Sequence, residues 1–203
     1  MKLNFNEFNG NYEIIHNGFS WVSDGRKPQI TIRGKNKKGK YISKVCSLQS
    51  ARKKETETTE SKTVTVYSDF VAFGKILPFR LICTAEIINE NTVEFSLKAE
   101  NETDYDIQAV YFPAPFNSKT KGRNSYHVDS MRQGFILPDR YKKNYFINHS
   151  YKNVKRPINT GECYLPIWGR VCDGHTYAAM VETPYDASVY TSFGKHGAFL
   201  NTA

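Results

Sequence analysis

Long apolar runs are what this sequence most plainly lacks. No stretch approaches the roughly 20 residues that a helix needs to cross a bilayer, so no membrane partner is expected. The opening residues, MKLNFNEFNGNYEII, lack the charged-then-apolar pattern of a secretory signal. The chain therefore reads as soluble, and as cytoplasmic if Met1 is its natural start. Cysteine is sparse: Cys46, Cys83, Cys163 and Cys172 lie far apart with no CxxC. That spacing suggests neither a zinc site nor a disulfide framework, and leaves small buried thiols as the expectation. Helical spacing is missing as well. No Gly-rich phosphate loop, HExxH, GxSxG or calcium loop is present, and Asp104-Tyr105-Asp106 and Asp173-Gly174 are too short to hold a metal. The expectation is a chain with no cofactor, no metal and no catalytic residues of its own.

What the sequence has is aromatic bulk. Apolar residues make up only 39%, but 13 Tyr, 13 Phe and 2 Trp can build a core from rings where aliphatic runs are short. Apolar positions recur with period two, in runs rich in Val, Ile, Thr, Tyr and Phe, the pattern of half-buried strands. The clearest unit is a hairpin: Phe79 to Ile88, a polar turn Asn89-Glu90-Asn91-Thr92, then Val93 to Glu100 with Val93, Phe95, Leu97 and Ala99 on one face. Further strands are expected at Tyr12 to Ser20, Gln29 to Arg33, Thr63 to Phe70, Asp106 to Phe112, Gly134 to Pro138, Tyr164 to Trp168 and Tyr177 to Glu182. Strands at this density predict an all-β, antiparallel sandwich, and 203 residues fit a single such domain. The stretch Ser50 to Lys62, nearly free of apolar side chains, reads as a flexible loop at a hairpin tip. Pro113 to Arg132, punctuated by Pro113, Pro115 and Gly122, reads as a long surface excursion.

The formal charge is +8. Anionic partners are thereby admitted, nucleic acid among them. The cations fall in dispersed runs, Arg33 to Lys40, Arg52 to Lys54 and Lys152 to Arg156, outside any nucleic-acid motif, so a solvated surface is the plainer reading and nucleic acid the weakest partner.

The run Ala85 to Phe116 (AEIINENTVEFSLKAENETDYDIQAVYFPAPF) joins a hairpin, an Asn-Glu-Thr turn, a strand and a Phe-Pro pair. It resembles a segment of galactose-mutarotase-like supersandwich domains, which precede the catalytic barrel in several glycoside hydrolase families. Gly134 to Asp139 and Gly174 to Ala187 (GHTYAAMVETPYDA) extend the likeness over about half the chain. It is nearest to the N-terminal domains of bacterial enzymes related to endo-α-N-acetylgalactosaminidases. The resemblance implies a supersandwich that packs on a separate (β/α)8 barrel carrying the catalytic carboxylates, and no barrel pattern occurs up to Ala203. Two alternatives stay open: a stand-alone carbohydrate-binding module and an aldose epimerase-like enzyme.

Carbohydrate is the expected ligand. Sugar recognition asks for a flat aromatic face beside planar polar groups, and Trp168, Arg170, Tyr185 and Asp186 supply those types near strand ends. A Trp ending an alternating strand also serves as core. Tyr126, His127, Asp129 and Arg132 form a second polar-aromatic group, placed on the long loop. Hydrolysis needs two carboxyls across the scissile bond, and no spacing brings together any two of Glu162, Asp173, Glu182 and Asp186. An epimerase needs a His and a carboxylate converging, and His127, His149 and His175 align with no known set.

Overall fold

The structure is a computed structural model, and it describes residues 1–23, 28–114, 116–118, 125–129, 135–138, 158–159, 167–180, 188–194 and 197–202. Among these there is no α-helix. Apart from one 3-10 turn at Leu48–Ser50, every regular element is a strand and every strand pairing is antiparallel, the all-β sandwich class that the two-residue period predicts. The chain divides into two compact units, Met1–Gly18 with Arg26–Ala114, and Phe19–Gly25 with Pro115–Ala203. Strands are numbered below in chain order.

The first unit opens with the hairpin β1 (Lys2–Asn6) and β2 (Asn11–His16), in register from Lys2↔Ile15 to Asn6↔Asn11. Its turn is held by the Asn6 side chain, whose Oδ1 accepts the N–H groups of Phe8 and Asn9 at 3.0 and 3.3 Å. The expected single strand Tyr12 to Ser20 is in fact broken at Asn17-Gly18, which take φ of 48° and 77°. An Asn-Gly pair tolerates two successive positive φ values better than almost any other, and here it ends β2 and releases the chain into β3 (Phe19–Ser23).

Two sheets follow. In the smaller, β4 (Gln29–Lys35) is central, flanked by β10 (Asp106–Tyr111) and β5 (Tyr41–Ser47). In the larger the order is β6 (Lys53–Thr58), β7 (Lys62–Ala72), β8 (Lys75–Asn89), β9 (Thr92–Glu100). The supposed flexible loop Ser50 to Lys62 is thus mostly strand. Its register from Lys53↔Ser68 to Thr58↔Thr63 is unbroken, and only 59–61 make the turn. An edge strand needs no apolar face to be stable, and the threonines supply β-propensity while the charges deter pairing with other chains. The predicted Phe79–Glu100 hairpin is present, with Leu81, Cys83 and Ala85 fully buried on its inner face. On β9 the apolar alternation outruns its cover. Phe95 lies against Tyr12 and Phe112, with ring centroids 5.2 and 6.1 Å away, whereas Leu97 is 38% exposed and Ala99 is also exposed. Tyr12 is the hub of this interior, adding Phe5 at 4.8 Å and Phe112 at 5.9 Å.

In the second unit β3 pairs with β11 (Phe116–Ser118), and a four-stranded sheet runs β13 (Phe135–Pro138), β12 (Ser125–Asp129), β15 (Ile167–Cys172), β16 (His175–Met180). A third sheet holds β14 (Ile158–Asn159), β17 (Ser188–Gly194) and β18 (Gly197–Thr202). The surface excursion expected over Pro113 to Arg132 is corrected by β11 and β12. The latter pairs on both sides, with β13 and β15, so Ser-Tyr-His-Val-Asp is an inner strand despite its polarity. Of the expected strand Tyr164 to Trp168, only 167 and 168 fall within the described residues, where β15 continues to Cys172.

Candidate functional site

Two of the residues singled out for sugar contact, Trp168 and Arg170, lie on β15, which pairs with β16. These strands meet through Asp173-Gly174, with φ of 49° and 82°, a two-residue turn of the kind that matches strand twist. The turn sets the register Cys172↔His175, Arg170↔Tyr177, Trp168↔Ala179. On its other side β15 places Arg170 against His127 and Cys172 against Ser125. Arg170 therefore sits mid-sheet, between a histidine and a tyrosine position. It is only 6% exposed and Cys172 is fully buried. Gly169 permits this close pairing, because a Cβ there would lie 2.7 Å from the Tyr177 carbonyl oxygen.

A chain of rings accompanies the same sheet. His175 stacks on Phe19 at 4.2 Å and 17°, Phe19 meets Trp21 at 5.0 Å, Trp21 meets Tyr177 at 5.7 Å, and Tyr177 meets Phe116 at 5.6 Å. Trp21 and Phe116 are buried, so this is interior packing, each pair worth about 0.5–1.5 kcal/mol beyond its area. Burial pushes the Tyr177 hydroxyl well above the ordinary phenol range, which keeps it a neutral hydrogen-bonding group. Sequence reasoning missed the Phe19 and Trp21 members. Their signal was the alternation Phe-x-Trp-x-Ser directly after Asn17-Gly18, hidden by reading one strand through the turn.

Of the four sugar-contact candidates, Trp168 and Arg170 share β15, while Tyr185 and Asp186 lie outside the described residues. The second group changes character. Tyr126, His127 and Asp129 belong to strand β12, and Arg132 lies outside the described residues. Of the carboxylates, Asp173 is exposed in the turn, and Glu162, Glu182 and Asp186 are outside the described residues. His149 and Cys163 are outside them too. Among the described residues no three His, Cys, Asp or Glu side chains gather as a metal-ion site. Chemically, this part of the second unit holds a buried guanidinium, Arg170, in register with Tyr177 of the ring chain.

No protein-family model and no curated protein matches the chain. Solved structures do. The α-N-acetylgalactosaminidase NagBb from Bifidobacterium bifidum, in its Gal-NHAc-DNJ complex, matches with a TM-score of 0.71 at 20% identity over 98% of this chain. The same enzyme in its GalNAc complex gives 0.69 at 20% identity, and its ligand-free form 0.64 at 18%, again over 98% of this chain. The chain spans 31% of the length of those chains. At this identity the likeness is one of fold.

Proposed function

We propose that this chain is a non-catalytic β-supersandwich domain, galactose-mutarotase-like, of a carbohydrate-active enzyme of the glycoside hydrolase class. It packs on a separate catalytic (β/α)8 barrel and lends that barrel's pocket an edge at which Trp168, Tyr185 and Asp186 contact sugar, with the buried Arg170 supporting them from the strand of Trp168. The observation that carries the reading is the asymmetry of coverage: 98% of this chain is used in the match and 31% of a glycosidase chain. A module that borrows its chemistry from a neighbour explains that asymmetry.

The test joins sequence and assay. Reading the coding region beyond Ala203 should reveal alternating strands and helices. The extended protein should cleave aryl α-N-acetylgalactosaminides, and the 203-residue chain should not. Within the extended enzyme Trp168→Ala should raise KM on the order of tenfold, about 1.4 kcal/mol, with kcat little changed. Glycoside hydrolysis by the chain alone, or a following region with no barrel pattern, defeats the proposal.

A further inference from the structure

The basic run at 33–44 is organised by the fold, and neither the resemblance nor the sugar-contact reading uses it. Residues 25–54 contain no aspartate or glutamate, and between them Arg33, Lys35, Lys37, Lys38, Lys40 and Lys44 are all exposed. Strand pairing gathers Arg33 and Lys35 on one face and sets Lys44, opposite Ile32, on the other. Lys35 faces Tyr41 across β4 and β5, and Arg33 faces Ser43, so alternation puts all four on the same outer face. Lys37, Lys38 and Lys40 crowd the turn, which Asn36 holds by accepting the N–H groups of Lys38 and Lys40 at 2.9 and 3.1 Å.

Tyr41 is 52% exposed, and both the Arg33 guanidinium carbon and the Lys35 Nζ lie 5.2 Å from its ring centroid. The ring thereby holds two like charges side by side on open surface, each contact worth about 0.5–1 kcal/mol. Next to it Ser43 donates its hydroxyl to Gln108 Oε1 at 2.5 Å, so a hydroxyl and a carboxamide border the cations. Asp106 pairs with Arg33 in register, and Lys35 faces Tyr41 instead of an acid. A surface charged for solubility alone mixes its signs; here the thirty residues 25–54 carry no acid, and Asp106 on β10 is the acid that the pairing brings beside them.

From this arrangement we infer that the outer face of β4 and β5, with the turn between them, is a binding surface for an anionic polysaccharide carrying sulfate or carboxylate groups. Arg33 and Lys35 are spaced two strand residues apart, about 6.6 Å, and the turn lysines continue the row, which suits an anion repeated along an extended chain. Ser43 and Gln108 are groups that hold ring hydroxyls. Single-stranded nucleic acid fits less well, since it is gripped by successive free aromatic platforms, and β4, β5 and their turn carry one ring, Tyr41, already bearing two cations. The inference stands on the first unit alone and is independent of the function proposed above.

Binding of the full chain to dextran sulfate, neutral dextran and polyuridylate of matched length is the test. Dextran sulfate should bind, with log Kd rising linearly with log salt at a slope that reports about four to six ion contacts, and neutral dextran should not. Lys37→Ala/Lys38→Ala/Lys40→Ala together should weaken binding on the order of a hundredfold at low salt, and Lys35→Ala or Tyr41→Ala each about tenfold. Lys2→Ala and Lys75→Ala, exposed cations of other strands, should leave binding unchanged. Thermal midpoints separate a lost contact from a lost fold. Equal loss in the Lys2 and Lys75 variants, full affinity in the turn variant, binding of neutral dextran, or tighter binding of polyuridylate overturns the inference.

Discussion

Tyr12, Tyr67 and Cys83 bring ionisable groups into the interior of the first unit, each 2% exposed or less. Burial is the largest cause of the shift in all three. It pushes the Cys83 thiol up to about 12 and both phenols well above their ordinary range, against hydrogen bonds from Thr65 to Tyr12 and from Gln49 to Tyr67, at 3.0 Å, that pull the other way. The folded chain therefore keeps protons that the unfolded chain gives up above its ordinary thiol and phenol pKa values, near 9 and 10. Stability is whole below that range and falls as pH rises towards the folded values, by up to about 1.4 kcal/mol per pH unit for each group ionised only when unfolded. Urea midpoints measured from about pH 8 to 11 should decline, and Tyr67→Phe or Cys83→Ala should flatten the decline. A level midpoint across that range, or a phenolate signal before unfolding that Tyr67→Phe removes, contradicts it.

At the scale of elements, the β15–β16 hairpin separates two reasons for a glycine. Gly174 has φ of 82° and open space where a Cβ would go, so Gly174→Ala meets only backbone strain, about 1–2 kcal/mol. Gly169 has ordinary backbone, but its Cβ would press on the Tyr177 carbonyl oxygen, so Gly169→Ala must part the strands and costs about 1–3 kcal/mol. Urea denaturation should show both losses. Only Gly169→Ala should also disturb the near-ultraviolet signal of Tyr177 and Trp21; identical spectra would deny the close approach. Asp173-Gly174 was visible in the sequence only as a pair too short for a metal loop, and its role as a two-residue turn emerges from the pairing of β15 with β16. The buried strands were legible too, because Phe79 to Ala85 alternates over a one-sided sheet. The strand at Lys53–Thr58 was not, since edge strands are selected for charge and carry no apolar period. The inner strand Ser125–Asp129 was hidden for the opposite reason: its pairing is set by neighbours on both sides, one of them over 40 residues away in sequence. The candidate site was legible in kind, an Arg and a Trp on one strand, but the depth of Arg170 depends on partners at 127 and 177 that no local pattern names.

At the scale of the whole molecule, the two units are interlaced in sequence. The second takes Phe19–Gly25 from within the first, so neither is a continuous segment and the chain passes between them at 18/19, 25/26 and 114/115. Unfolding the second unit frees β3, which is tied directly to β2 through Asn17-Gly18 and leads on to β4, two strands of the first unit. Separate unfolding would therefore leave a seven-residue segment fixed at both ends yet stripped of its β11 partner. We accordingly propose a single cooperative domain over residues 1–203. Calorimetry should record one transition whose van't Hoff and calorimetric enthalpies agree. A chain cut after Ala114 should lose far more than its missing half, because Phe19, Trp21 and Ser23 would then be without the β11 strand that covers one edge of β3. Two resolved transitions, or a stable 1–114 fragment with native tyrosine burial, would show instead that the interlacing is a matter of chain path alone.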